Sequence, residues 1–200
     1  EIDKTLIILK NDKSKFDFKI SGYQGTASLN ETIYKTVLRE IPDENTITIF
    51  EVCENVTSSS NLKKSQVLES LYVLFGNGLI GPVNYKKLVE KKIETTKAMN
   101  NKIIDQAFYN KDGPVLVSPV TGGGVAVSRI FKLFSRGHQN GLKSATDLAN
   151  FAWQILEKNG EKMIKDGNIL EGTDNVEMLT EQAEIYIDGI VPRLKRYAIL

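Results

Sequence analysis

Apolar positions recur along this chain at helical and strand periods, and the clearest pattern lies at residues 61–83, NLKKSQVLESLYVLFGNGLIGPV. Val67, Leu68, Leu71, Leu74 and Phe75 fall at i, i+1, i+4, i+7 and i+8, which puts them on one face of a helix packed on a core. Ser60 or Asn61 suits the N-cap, because either side chain accepts from free first-turn amides. Gly76-Asn77-Gly78 can take the positive φ that leaves a helix. Residues 79–83 carry no charge and read as a buried or edge strand ending near Pro82. Helix, tight stop and strand is how a winged helix delivers its third helix into its wing, although any α+β core element could use the same order.

The remaining pattern fills in around that stretch. Residues 5–9, TLIIL, predict a strand. Residues 11–15 form a polar turn, and 16–20 (Phe16, Phe18 and Ile20 alternating with polar residues) predict a half-buried strand. Gly22 and Gly25 punctuate a loop. Asn30 caps a helix running to Ile41, stopped by Pro42. Residues 46–56 fit a strand through Ile47, Ile49 and Val52, or a helix through Ile49, Val52, Cys53 and Val56; the position between two helices favours helix. Lys86, Lys87, Lys91 and Lys92, interleaved with Glu90 and Glu94, read as a solvated helix or wing face. A helix follows over 97–109 and a turn over 111–114. Residues 114–124, PVLVSPVTGGG, are extended and end in three glycines. Helices are then predicted over 126–136, from Ser144 or Thr146 to 159, and from about Asp174 onward, where Pro192 predicts a kink or break. The expected fold is α+β and mostly helical: a winged-helix-like first half with N-terminal strands (1–93), then a helical second half containing the glycine loop (94–200).

Composition narrows the classes. The 200 residues allow one large or two small domains. Lys+Arg at 26 and Asp+Glu at 25 leave a formal charge of +1, which gives no global push toward nucleic acid or anionic membrane. No apolar run approaches the roughly 20 residues of a membrane span. The opening Glu1-Ile2-Asp3 lacks the features of a signal peptide and reads as the start of a piece cut from a longer chain. The single cysteine, Cys53, excludes an internal disulfide and fits a cytoplasmic setting.

Candidate chemistry is sparse. The strand-like Val115-Leu116-Val117, the loop Thr121-Gly122-Gly123-Gly124 and the following helix have the outline of an anion-cradling turn. The spacing departs from GxGxxG at Val127, and no Walker lysine-serine follows. One histidine and one cysteine cannot supply a structural zinc site. A Cys53–His138 nucleophilic pair is disfavoured because Cys53 sits in an apolar stripe. His138, between Gly137 and Gln139, reads as exposed in a polar loop, and Trp153 reads as core. Lys63, Lys64, Lys86 and Lys87 could meet phosphates, but the outward face of the 61–76 helix offers no arginine for guanine readout.

The run Ser118-Pro119-Val120-Thr121-Gly122-Gly123-Gly124-Val125-Ala126-Val127-Ser128-Arg129 resembles a segment of bacterial S-adenosylmethionine-dependent methyltransferases with a methyltransferase regulatory domain, a group that includes protein-lysine methyltransferases. Phe151-Ala152-Trp153-Gln154-Ile155-Leu156 and Leu179-Thr180-Glu181-Gln182-Ala183 resemble later segments of the same enzymes, and Asp3-Lys4-Thr5-Leu6-Ile7 resembles the end of their regulatory region. In that family a Rossmann-like catalytic domain comes first, and a regulatory region and a winged-helix-like C-terminal region follow. The resemblance implies a non-catalytic part of a transferase that regulates the enzyme or presents a protein substrate. S-adenosylmethionine would belong to the catalytic domain upstream. No catalytic, cofactor-binding or metal residue transfers to this chain. The implied partners are the upstream catalytic domain and a protein substrate, with no membrane. Gly122, Gly123, Gly124 and Arg129 form the candidate contact patch, since loop amides and a guanidinium suit backbone or carboxylate recognition. The alternative is a winged-helix regulator that docks on DNA or protein.

Overall fold

The computed structural model describes residues 2–23 and 25–200. The fold is α+β and mostly helical, with 55% helix against 13% strand. The chain divides into two compact units, Glu1–Tyr85 and Lys86–Leu200; residue 93, the expected boundary, lies inside the helix that opens the second unit.

The first unit packs three helices on a small sheet. Its strands are β1 (Leu6–Leu9), an exposed hairpin of β2 (Lys19–Gly22) and β3 (Gly25–Ser28), β4 (Ile47–Thr48) and β5 (Ile80–Pro82). Its helices are α1 (Glu31–Arg39), α2 (Ile49–Ser59) and α3 (Lys64–Gly76). Asn30 caps α1 as expected, its side chain accepting from the amides of Thr32 and Ile33. Residues 47–59 resolve the strand-or-helix ambiguity by using both. Ile47 and Thr48 pair with β1. Thr48 then starts α2 in a capping box with Glu51, each side chain accepting from the other's backbone amide.

Helix α3 starts later than Ser60 or Asn61 would place it. Its N-cap is Lys63, which has no acceptor; the Gln66 side chain accepts from the Lys63 amide instead. The stop is a Schellman turn: Gly78 has φ +76°, its amide donates to Phe75, and that of Leu79 donates to Leu74.

The expected wing does not form. The three-stranded sheet runs β4-β1-β5 with β1 in the middle, and β5 pairs antiparallel with β1 through Leu9↔Ile80, Ile8↔Gly81 and Ile7↔Pro82. The strand beside β5 therefore comes from the start of the chain, not from a hairpin after it, and Lys86 already enters the next helix. The strand expected over 16–20 also shifts. Phe16 is buried among Phe18 and Tyr34, and the ladder begins only at Lys19. The core joins Ile7, Leu9, Val37, Val52, Val67 and Leu74.

The second unit opens with α4 (Lys86–Gln106), one helix of 21 residues where a charged face and a separate helix were expected. A short hairpin of β6 (Leu116–Val117) and β7 (Gly124–Val125) follows, then α5 (Arg129–Gln139) and α6 (Ala145–Lys158). The hairpin of β8 (Ile164–Lys165) and β9 (Asn168–Ile169) leads to α7 (Asp174–Ile185), a π-helical turn (Tyr186–Ile190) and α8 (Val191–Arg196). Helix α5 starts at Arg129 and not near 126, because β7 occupies Gly124 and Val125 and Ser128 supplies the cap.

The break expected at Pro192 is the π-helical turn just before it. Proline cannot donate to the carbonyl one turn back and its ring crowds that carbonyl, so the helix widens before it; the amide of Val191 reaches the carbonyl of Tyr186. The core of this unit contains Leu133, Phe134, Leu148, Leu179, Tyr186 and Leu194, all fully buried. The hydroxyl of Tyr186 donates to Ser135, and burial pushes its pKa up to about 12. No helix among the described residues is long and apolar enough to cross a membrane.

Candidate functional site: the glycine hairpin and the cleft at the end of α5

The glycine loop is a hairpin closed on itself. Ser118, fully buried, donates its hydroxyl to the carbonyl of Tyr197 and accepts from the amides of Val120 and Thr121. The Gly122 amide donates to the Ser118 carbonyl, and the Ser118 amide to the Gly123 carbonyl. Four amides that could have met an anion are thus engaged inside the loop. Gly124 is required by space, because a Cβ there would lie 2.5 Å from Cγ2 of Val115. Asn100 of α4 fixes the hairpin from below: its amide donates to the Val117 carbonyl and its oxygen accepts from the Val117 amide. Gly122, Gly123 and Gly124 remain exposed at the surface.

Arg129 is drawn inward. Its guanidinium makes a two-pronged pair with Glu161 at 2.6 and 3.0 Å, and its Nε donates to the Ala107 carbonyl. The two side chains are only 11% and 17% exposed, so the fork that could have read an external carboxylate already holds an internal one. Hydrogen bonding from Arg129 holds the Glu161 carboxyl below its ordinary range, and Lys111 adds to this from 3.5 Å. The pair joins the end of α4, the start of α5 and the segment after α6.

Lys132, one turn further along α5, is also buried. Its ammonium donates to the carbonyls of Gly113 and Pro114, at 3.3 and 2.7 Å, and burial pushes its pKa down.

The other candidates lie elsewhere. Cys53 is buried in α2, and burial pushes its thiol pKa up, as its apolar stripe suggested. Lys64 pairs with Asp3 at 3.1 Å, while Lys63 is exposed. Trp153 is half-buried on α6. Among the described residues no group of three or more His, Cys, Asp or Glu side chains is placed to hold a metal ion.

His138 departs from its expected place in an exposed loop. It sits in the last turn of α5, half-buried, with its ring edge-on to Tyr186 at 6.5 Å. Gly137, which suggested a loop, is buried where α5 meets Leu148 of α6. His138 belongs to a cleft of about 390 Å³ that sequence reasoning missed, lined also by Lys97, Asn101, Arg136, Gln139 and Lys195. These residues come from α4, α5 and α8, so no local motif announces them.

Compared with known proteins, the chain is 24% identical over 195 residues to the uncharacterized protein sll1526 of Synechocystis sp. (strain ATCC 27184 / PCC 6803 / Kazusa). The match covers 97% of this chain and 37% of that protein's length. No family model matches, and no solved structure matches either.

Proposed function

We propose that this chain is a non-catalytic, regulatory or substrate-presenting part of a cytoplasmic S-adenosylmethionine-dependent methyltransferase acting on protein. The observation that supports this best is the reach of the similarity: both units match one relative from end to end, while most of that relative lies outside the match. A catalytic domain fits in that remaining length. Three of the four runs that carry the resemblance also belong to one packed body: the glycine hairpin with the start of α5, the middle of α6 and the middle of α7. The partners are then the catalytic domain and the protein substrate, with Gly122, Gly123 and Gly124 as the exposed part of the contact patch. Arg129 acts through Glu161 by holding the unit together behind that patch.

Deleting this region from a full-length enzyme tests the reading. S-adenosylmethionine binding should persist in the remaining domain while methylation of protein substrates changes at least severalfold. Loss of cofactor binding together with this region, or unchanged methylation, would overturn it.

The winged-helix regulator reading draws support from α3, which follows α2 closely and exposes Lys63, Glu69 and Tyr72. It predicts duplex binding that weakens steeply with salt and is lost in Lys63→Glu/Lys64→Glu. The Lys64–Asp3 pair and the missing wing leave that face little unpaired positive charge.

A further inference from the structure

The cleft at the end of α5 has the composition of a binding site. Two lysines line it, Lys97 from α4 and Lys195 from α8, and Lys143 from the α5–α6 connection is near enough for its charge to act on His138. Among the described residues none of the three pairs with a carboxylate. Arg136 is held in place by Asp105, the Asn101 carbonyl and Gln139, which leaves its Nε buried without a partner. The Nδ1 of His138 is likewise buried and unpartnered. Ile199 and Leu200 supply apolar lining. Unpaired cations over an apolar floor favour an anionic chain that also carries apolar groups. A nucleic-acid duplex keeps its bases stacked inside and turns phosphates outward, so it offers little apolar surface to that floor.

We propose that the cleft between Lys97, Arg136, His138 and Lys195 is a docking site for an acidic peptide segment of a partner protein, with carboxylates meeting the lysines and an apolar side chain resting on Ile199. The site is separate from the glycine hairpin and does not depend on the methyltransferase reading.

His138 is the single histidine of the chain, so its ring resonances report this cleft without ambiguity. Burial, then Lys195 and Lys143, hold its pKa below the ordinary value. Bound carboxylates would offset those charges and raise it. The probe is a short synthetic peptide of alternating Glu and Leu, titrated into the chain while the His138 ring is followed by NMR across pH. The expected result is saturable binding that raises the His138 pKa, weakens as salt rises, and falls about tenfold in Lys97→Glu/Lys195→Glu. Both lysines are exposed, and Lys97→Gln/Lys195→Gln gives the same comparison with charge removed only. An unmoved His138 resonance would overturn the proposal, as would equal affinity in the lysine variants. An equal response to free glutamate at the same carboxylate concentration would reduce the effect to charge screening and also overturn it. Tighter binding of a single-stranded oligonucleotide in the same cleft would assign the site to nucleic acid instead.

Discussion

Three side chains show how single positions hold this protein. Arg129 and Glu161 are 32 residues apart in sequence and nearly buried together. Replacing Arg129 by Met strands a carboxylate beside the weaker Lys111 contact, at a cost on the order of 3 kcal/mol. Arg129→Met/Glu161→Leu should recover most of that loss in urea denaturation, because no charge is left behind. Gly124→Ala drives a methyl into Val115 and should cost about 1–3 kcal/mol. Ala198 has the opposite problem. It occupies the left-handed position (φ +52°) of the turn that ends α8, where the amide of Ile199 reaches back to Leu194. Ala198→Gly should raise the unfolding free energy by up to about 1 kcal/mol, seen as a higher denaturation midpoint, since the left-handed penalty of an L-residue exceeds the entropy a glycine adds. In the sequence Arg129 was visible as the end of a motif, but its partner was not. Nothing local marks Glu161 among the many carboxylates.

At the scale of elements, legibility followed range. The stripe of α3 and its stop at Gly78 are set by neighbours within two turns, and so is the cap of α1 at Asn30; all three could be read directly. The wing could not be judged, because whether β5 has a hairpin partner depends on β1, which lies more than 60 residues earlier. The β8–β9 hairpin carried a local signal that went unread. Asp166-Gly167, flanked by Ile164 and Ile169, is the type I′ turn sequence, and both central residues have positive φ (52° and 82°). Gly167→Val should melt this hairpin while the helices persist, seen as loss of amide-exchange protection confined to residues 163–170. The π-helical turn makes a second element-scale prediction. Pro192→Ala restores the missing donor and should raise protection of the amides at 189–191.

For the whole molecule, acidity is the informative variable. His138 has a folded-state pKa held below its ordinary value of about 6.5. Below that pH the unfolded chain takes up a proton that the native state resists. Stability should therefore fall as pH drops through about 6.5 and level off once pH passes below the folded value. His138→Gln should flatten that part of the curve, measured as denaturation midpoint against pH. The division into two compact units, each with its own buried core, gives a further expectation. Residues 1–85 and 86–200 produced separately should each fold, giving dispersed amide spectra.

The middle strand of the first sheet is also its earliest-made part. Leu6–Leu9 leaves the ribosome well before Ile47 and far ahead of Ile80, yet it is the strand to which both of the others pair. During synthesis it must wait, apolar and unpaired, while α1 is made, and its second edge stays open while α2 and α3 are made. The sheet closes only when Pro82 arrives, so contacts of long sequence separation set the pace of that unit's folding. A chaperone that shields this strand as it emerges would act during that interval, and deleting the four residues Leu6–Leu9 would remove two strand pairings at once.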